Sequence, residues 1–167
     1  NSLNNLGELA MLQGDYQSAR IDLDEALSIL REIGARWLLI TSMVTLGNVL
    51  RGQGEYADSS DIYKEGLILN REIGDLWMYA NIFEGIGSLF LATGNFKMGL
   101  NLAGVSERIR EEIGAPLSSA EITELERFLQ PGWDALGEEV GIVWEEGRKL
   151  GLEEAVDFAL ALDLGET

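Results

Sequence analysis

The chain has 167 residues, of which 29 are acidic and 12 basic, and it contains no cysteine and no histidine. Its net charge of −17 opposes binding to DNA, RNA or anionic membranes, because such partners attract clustered lysine and arginine. The missing residue types exclude disulfides, Cys/His metal sites, cysteine nucleophiles and histidine bases. No apolar run reaches the about 18 residues of a membrane span, and no secretory signal is seen, so we expect a cytoplasmic protein.

A sequence pattern recurs three times, at residues 6–34, 46–74 and 86–114. Matching positions are 40 residues apart, as Gly14 and Gly54 are, and Gly94 holds the same place in the third copy. Self-similarity at a period of about 20–50 residues is typical of repeat architectures. Apolar residues at helical spacing on both sides of this glycine predict two helices per copy, joined by a tight turn.

The three copies predict six helices whose ends are marked by glycine. The expected bounds are 1–13, 15–33, 36–52, 55–73, 76–92 and 95–113. The turn glycines suit the left-handed conformation that ends a first helix, and the residue after each can cap the second helix. Asp15 and Asn95 are favourable capping residues, and Glu55 is a poorer one.

Each first helix also contains an internal glycine, which costs about 1 kcal/mol relative to alanine. These glycines are Gly7, Gly47 and Gly87. The recurrence at one register predicts that the second helix of each hairpin passes very close, with small residue facing small residue. The facing residues are expected to be Ala19, Ser59 and Gly99.

The pattern resembles the tetratricopeptide repeat in its Leu-Gly pair, its Gly-Asp-Tyr turn and the small residue that follows. In the first copy these are Leu6-Gly7, Gly14-Asp15-Tyr16 and Ala19. The family's usual unit has about 34 residues, so this chain is similar to the longer-helix variant of kinesin light chains and spindle-orientation adaptors. The resemblance implies an all-α fold, a right-handed superhelix of three helical hairpins at about 1–34, 35–74 and 75–114.

The period ends after Gly114, and residues 115–167 are predicted to form a helical cap that covers the end of the superhelix. Ser118 and Glu121 fit a capping box at the start of its first helix. Pro131-Gly132 is expected to bend or break that helix. Two short helices are expected near 138–149 and 152–162.

The segment 144–156 resembles the carboxyl-terminal end of large bacterial signal-transduction ATPase regulators of the STAND/LuxR type. Because the chain begins at Asn1 rather than Met, we expect it to be part of a longer polypeptide. The resemblance implies the C-terminal sensor or interaction region of a transcriptional regulator, where an effector or a partner protein biases a nucleotide switch.

The resemblance also implies that the first helix of each hairpin lines a concave groove. The family's groove positions fall here on Asn4, Glu8, Thr41, Thr45, Asn48, Arg51, Asn81, Glu84 and Ser88. Such a polar face suits a peptide, a protein partner or a small polar effector, and the alternative interpretation is a solvated surface. The groove lacks the basic residues with which chaperone-binding members hold a carboxyl terminus, so that ligand is not expected.

Other candidate sites are interpreted structurally. Trp37 and Trp77 stand at equivalent points of two copies and are expected to pack between adjacent repeats rather than stack on a ligand. Trp133 and Trp144 are interpreted in the same way. Adjacent glutamates point about 100° apart on a helix, so these pairs predict solvated faces rather than metal or acid/base sites.

No phosphate-binding loop, nucleophile elbow or zinc helix is found, so we expect a non-catalytic module without a cofactor. The alternative function is an oligomerisation or scaffold module of a multiprotein assembly. Apolar surface left on the first hairpin would favour a homodimer in that case.

Overall fold

The computed structural model describes residues 9–11 and 13–164, and within them the chain is all-α, as predicted. Residues 9–11 are helical, and most of the helix predicted for 1–13 lies outside the described residues. The helices with both ends described are α1 (Tyr16–Glu32), α2 (Arg36–Gln53), α3 (Tyr56–Ile73), α4 (Leu76–Ala92), α5 (Phe96–Ile113), α6 (Ser119–Leu136), α7 (Val140–Lys149) and α8 (Leu152–Ala161).

The predicted helix bounds agree closely with these bounds because glycines end the helices at the expected positions. The backbone has positive φ at Gly14, Gly34, Gly54, Gly74, Gly94 and Gly114. Asp15 caps α1, since its Oδ1 accepts from the Ser18 amide at 3.1 Å, and these hydrogen bonds lower the pKa of the Asp15 carboxyl. Asn95 stands at the N-cap of α5 as predicted, but its side chain makes no capping hydrogen bond; its Nδ2 donates to Thr93 Oγ1 at 3.1 Å.

The chain divides into two compact units, Asn1–Gly74 and Asp75–Thr167. In the first unit α1 packs against α2, and α2 forms a hairpin with α3. Leu23, Leu27, Met43 and Val49 belong to its core. No helix in the described part of the chain combines the length and apolar character that a bilayer span requires.

In the second unit α4 and α5 form a hairpin, and the predicted cap packs on it. Helix α7 packs against α5, α6 contacts both α4 and α5, and a 3-10 turn at Gly137–Glu139 precedes α7. A cluster that includes Leu91, Leu100, Leu129 and Val143 joins the cap to the hairpin. The cap predicted for 115–167 therefore shares one unit with the third hairpin.

The predicted contact between small residues occurs in both described hairpins. Between α2 and α3, Ser59 Oγ donates to the Gly47 carbonyl at 2.8 Å. Between α4 and α5, a Cβ added to Gly87 would lie 3.0 Å from the Gly99 carbonyl oxygen. A Cβ added to Gly47 would overlap the Tyr63 ring, and at Gly87 the backbone of α5 itself comes close, so a side chain at either position would crowd the second helix. This explains why glycine stands inside these helices despite its cost. Gly7 lies outside the described residues.

One expectation about packing is wrong, and one about helix continuity is wrong in part. Helix α6 is not broken at Pro131, which lies inside it and is exposed; a bend at that residue stays a prediction. The missing amide frees the Arg127 carbonyl, but Arg127 is exposed as well, so water can hydrate that oxygen. Trp37 and Trp77 are 44% and 40% exposed, so they are not core residues.

The remaining tryptophans pack as expected. Trp133 of α6 and Trp144 of α7 are half-buried and lie against the cluster of Leu129 and Val143. The core interpretation therefore holds for the tryptophans of the cap and fails for those at the starts of α2 and α4.

The capping box of α6 is confirmed, and it makes the stability of this helix depend on pH. Ser118 Oγ and N donate to Glu121 Oε2 at 2.6 and 2.8 Å, and the Glu121 amide donates to Ser118 Oγ at 3.4 Å. Hydrogen bonds from Ser118 hold the pKa of the Glu121 carboxyl below its usual value. A carboxyl with a lowered folded-state pKa stabilises the fold above its unfolded pKa, and this stabilisation disappears as the pH falls through the folded pKa.

Ser118→Ala should therefore destabilise the protein by about 1 kcal/mol at neutral pH, the usual cost of a lost N-cap. The difference from the unmodified protein should shrink in acid as Glu121 becomes protonated. Thermal unfolding followed by circular dichroism over a pH series measures both quantities, and Ser119→Ala serves as the control. A difference that stays constant down to the acid range would contradict the hydrogen-bonding role of Glu121.

Candidate functional site

Two of the predicted groove residues on α2 bond along their own helix. Thr45 Oγ1 donates to the Thr41 carbonyl at 3.2 Å, and Thr41 Oγ1 donates to the Trp37 carbonyl at 3.0 Å. Thr45 is buried and Thr41 is half-buried. Their hydroxyl hydrogens are thus directed to the helix backbone.

Asn48 and Arg51 instead meet the side chain of Tyr63 on α3. The Tyr63 hydroxyl donates to Asn48 Oδ1 at 2.6 Å and accepts from Arg51 Nη1 at 3.4 Å. Tyr63 is fully buried, and burial raises the pKa of its hydroxyl. The hydroxyl therefore keeps its proton at neutral pH and fixes which end of the Asn48 amide faces it.

Two of the predicted residues of α4, Asn81 and Glu84, belong to a different polar cluster, centred on Arg110 of α5. Its Nε and Nη2 donate to the two carboxylate oxygens of Glu84 at 2.5 and 2.9 Å, and Nη2 also donates to Asn81 Oδ1 at 3.1 Å. Its Nη1 donates to the Ala115 carbonyl at 3.4 Å, and Ser106 Oγ donates to Glu84 Oε1 at 2.7 Å. The Arg110 and Glu84 side chains are 8% and 18% exposed, so this is a largely buried ion pair.

The structure therefore joins Thr41 with Thr45, Asn48 with Arg51, and Asn81 with Glu84. Of the other predicted positions, Ser88 is buried on α4, and Asn4 and Glu8 lie outside the described residues. That these positions bind a partner stays a prediction.

Sequence reasoning missed the second-helix partners Tyr63 and Arg110. For Arg110, comparison of the repeat copies does contain a signal. Glu84 and Arg110 replace Val44 and Asn70 of the preceding copy, so opposite charges appear together within one copy. Such a joint change indicates a pair that meets inside the hairpin.

Arg110 and Glu84 also line a cavity of about 420 Å³ in the second unit. Most of its wall is apolar and comes from the segment after α5, from α6 and from α7. The apolar lining includes Leu117, Ile122, Leu125, Leu129, Trp133 and Trp144. The sequence shows the stripe on α6, but the opposing wall on α5 depends on how the cap folds back, which the repeat pattern does not specify.

Three charged residues fix the edge of this cavity next to Trp144. The Trp144 indole Nε1 donates to Glu107 Oε2 at 2.6 Å, and Arg148 Nη1 donates to the same oxygen at 2.8 Å. Arg148 Nη2 donates to Glu111 Oε2 at 2.6 Å, which lowers the pKa of the Glu111 carboxyl. Glu107 and Glu111 line the cavity and are exposed, so ion pairs with Arg148 hold their carboxylates at its entrance.

A close crossing of α5 and α7 places Trp144 at the cavity. A Cβ added to Gly104 would overlap the Trp144 carbonyl oxygen, and one added to Gly147 would overlap the Asn101 backbone. The atoms that these methyl groups would meet belong to the backbone, so neither clash can be relieved by moving a flexible side chain. The helices lie this close only because neither position carries a side chain.

Residues 1–72 match the family model described as tetratricopeptide repeat. The match supports a tetratricopeptide repeat domain. It covers α1, α2 and nearly all of α3, in the first unit. Searches among curated proteins and among solved structures found no match to the chain.

Tetratricopeptide repeats are in general protein-interaction modules. Within the described ranges, no group of three or more carboxylates is placed to hold a metal ion. The adjacent glutamates Glu111-Glu112 and Glu145-Glu146 are exposed, as predicted. Of the predicted residues on α2, Asn48 has an amide nitrogen that its bond with Tyr63 does not use, and the second unit has a cavity lined in part by carboxylates.

Proposed function

We propose that the chain is a non-catalytic interaction module whose polar face on α2 binds a protein, a peptide or a polar effector. The match of residues 1–72 to the tetratricopeptide repeat carries this proposal, since helical repeats present extended binding surfaces. We further propose that the module is the C-terminal sensor or interaction region of a larger bacterial transcriptional regulator. This context is supported by the resemblance of residues 144–156 and requires binding to be coupled to a nucleotide switch.

Asn48 is suited to a binding role because only its side-chain oxygen is used in the bond with Tyr63, so its amide nitrogen can donate to a ligand. Its Oδ1 accepts from Tyr63, and this leaves the Nδ2 amide hydrogens directed elsewhere. The side chain is half-buried on α2. A carbonyl oxygen of a peptide or effector is the complement of such a donor.

Asn48→Asp keeps an oxygen acceptor for Tyr63 and removes the amide donors. We expect it to weaken partner binding about tenfold, because one hydrogen bond is lost at a cost of about 1.4 kcal/mol. The measurement is calorimetric titration with a ligand found by screening peptides and polar metabolites. Gln53→Glu makes the same amide-to-carboxylate change at an exposed position of α2 and should leave affinity unchanged. Equal affinity of both variants, or no ligand in the screen, would count against the binding face.

The regulator context has a separate test. Sequencing the gene upstream of the Asn1 codon should reveal a nucleotide-binding domain and a DNA-binding domain in the same reading frame. Their absence would reject the regulator context and leave the interaction module standing.

Self-association is the second candidate function, favoured by apolar side chains exposed on α1. Ile21 is 62% exposed and Ile29 is 42% exposed. Exposed apolar patches mark interaction surfaces, and a second copy of the chain in a homodimer or scaffold would cover them. Light scattering at several protein concentrations tests this function. A molar mass that equals that of the monomer at every concentration would rule it out.

A further inference from the structure

We propose that the cavity of the second unit binds an apolar organic cation, an amine with an aromatic or branched aliphatic body. This site is separate from the polar face of α2 and goes beyond the proposed interaction function. Its volume of about 420 Å³ falls in the range of about 300–1,000 Å³ usual for small-molecule sites. Its largely apolar wall suits the body of such a ligand.

The charges around the cavity select the sign of the ligand. Four carboxylates line it, from Glu84, Glu107, Glu111 and Glu126. The opposing guanidinium groups are those of Arg110, in the lining, and Arg148, which holds two of the carboxylates. Four negative charges against two positive ones leave a net charge of −2, so a cation is attracted and an anion is repelled.

Arg110 does not offset this preference for a cation. Its guanidinium donates to both oxygens of Glu84, to Asn81 and to the Ala115 carbonyl. A ligand carboxylate would have to displace these bonds inside a largely buried cluster. The cost of breaking a buried, hydrogen-bonded ion pair exceeds the gain from one new contact.

Glu126 is the carboxylate placed to receive the cation. It lies on α6, is exposed, and is held in no ion pair within the described parts of the chain. Glu107 and Glu111 are already bonded to Arg148. A ligand ammonium can therefore pair with Glu126 without competing against a resident guanidinium.

The tryptophans supply the second element of cation recognition. Trp133 and Trp144 both line the cavity, and tryptophan is the most favourable aromatic partner for a cation. The hydrogen bond from Trp144 to Glu107 fixes one of these rings. An amine with an apolar body thus meets aromatic walls and a free carboxylate in one cavity.

Three matched probes test the proposal on the full chain: phenethylammonium, hydrocinnamate and hydrocinnamide. All carry a phenyl ring on a two-carbon linker and differ in charge. Calorimetry at low salt should show the cation binding at least about tenfold more tightly than the anion or the neutral amide, a difference of about 1.4 kcal/mol. Added salt should weaken the cation selectively.

A substitution pair and a positional readout locate the site. Glu126→Gln should weaken phenethylammonium binding about three- to tenfold, and Glu124→Gln, which removes an exposed carboxylate outside the lining of the same helix, should not. The indole NMR signals of Trp133 and Trp144 should shift in a saturable manner, whereas those of Trp37 and Trp77 should stay unchanged.

Three results would overturn the proposal. One is that phenethylammonium binds with the same affinity as hydrocinnamate or as hydrocinnamide. Another is an equal effect of the Glu126 and Glu124 substitutions. The third is the absence of saturable binding of phenethylammonium up to about 10 mM, where a ligand of this size should be detected.

Discussion

Arg110→Met should destabilise the second unit by about 3–5 kcal/mol, because it leaves the Glu84 carboxylate largely buried without its counter-charge. The same substitution removes the donor to Asn81 and to the Ala115 carbonyl. Urea unfolding followed by circular dichroism measures the loss.

Two controls separate a buried ion pair from an ordinary loss of charge. The double variant Glu84→Met with Arg110→Met should recover most of the stability, since a buried pair replaced by apolar side chains is often nearly neutral. Arg31→Met breaks a surface pair with Glu65, whose side chains are 49% and 48% exposed, and should cost less than about 1 kcal/mol. Equal losses in Arg110→Met and Arg31→Met would refute the special role of Arg110.

Gly147→Ala should destabilise the second unit by about 2–3 kcal/mol, even though alanine is the better helix former by about 1 kcal/mol. The new methyl group would overlap the Asn101 backbone and force α7 away from α5. Because α7 carries Trp144, the cavity wall should move with it. Chemical denaturation gives the stability, and indole fluorescence reports the displacement.

Gly141→Ala provides the matched control in the same helix. No heavy atom lies within 4 Å of a Cβ added there. It should be neutral or should stabilise the protein by up to about 1 kcal/mol. If both substitutions changed the free energy of unfolding in the same direction, the close approach of α5 and α7 at Gly147 would be contradicted.

The helices could be predicted from the sequence because local chemistry decides where they end. Glycine at positive φ recurs at one spacing, as at Gly54 and Gly94, and it stops each helix whatever packs around it. The contact of Ser59 with Gly47 was also predictable, since internal glycine has few explanations other than close approach. The capping box at Ser118 is another local signal.

The candidate site was less predictable because it depends on contacts between distant residues. Periodicity shows that a tryptophan stands at a recurring position, but the exposure of Trp37 and Trp77 depends on which neighbours cover the start of each helix. The cavity requires α6 and α7 to fold back on α5, and no repeat pattern specifies those angles. Pro131 shows the same limit, since solvent exposure lets the helix continue through it.

The two hairpins have unlike polar interiors, Tyr63 with Asn48 in one and Arg110 with Glu84 in the other. The second copy carries Asn70 at the position of Arg110, so a hybrid that set α3 opposite α4 would confront Glu84 with a neutral side chain. The two helices of each hairpin therefore carry polar side chains matched to each other. If such an array lengthens by gene duplication, we expect both helices of a hairpin to be copied together, because a crossover between them would separate Glu84 from Arg110.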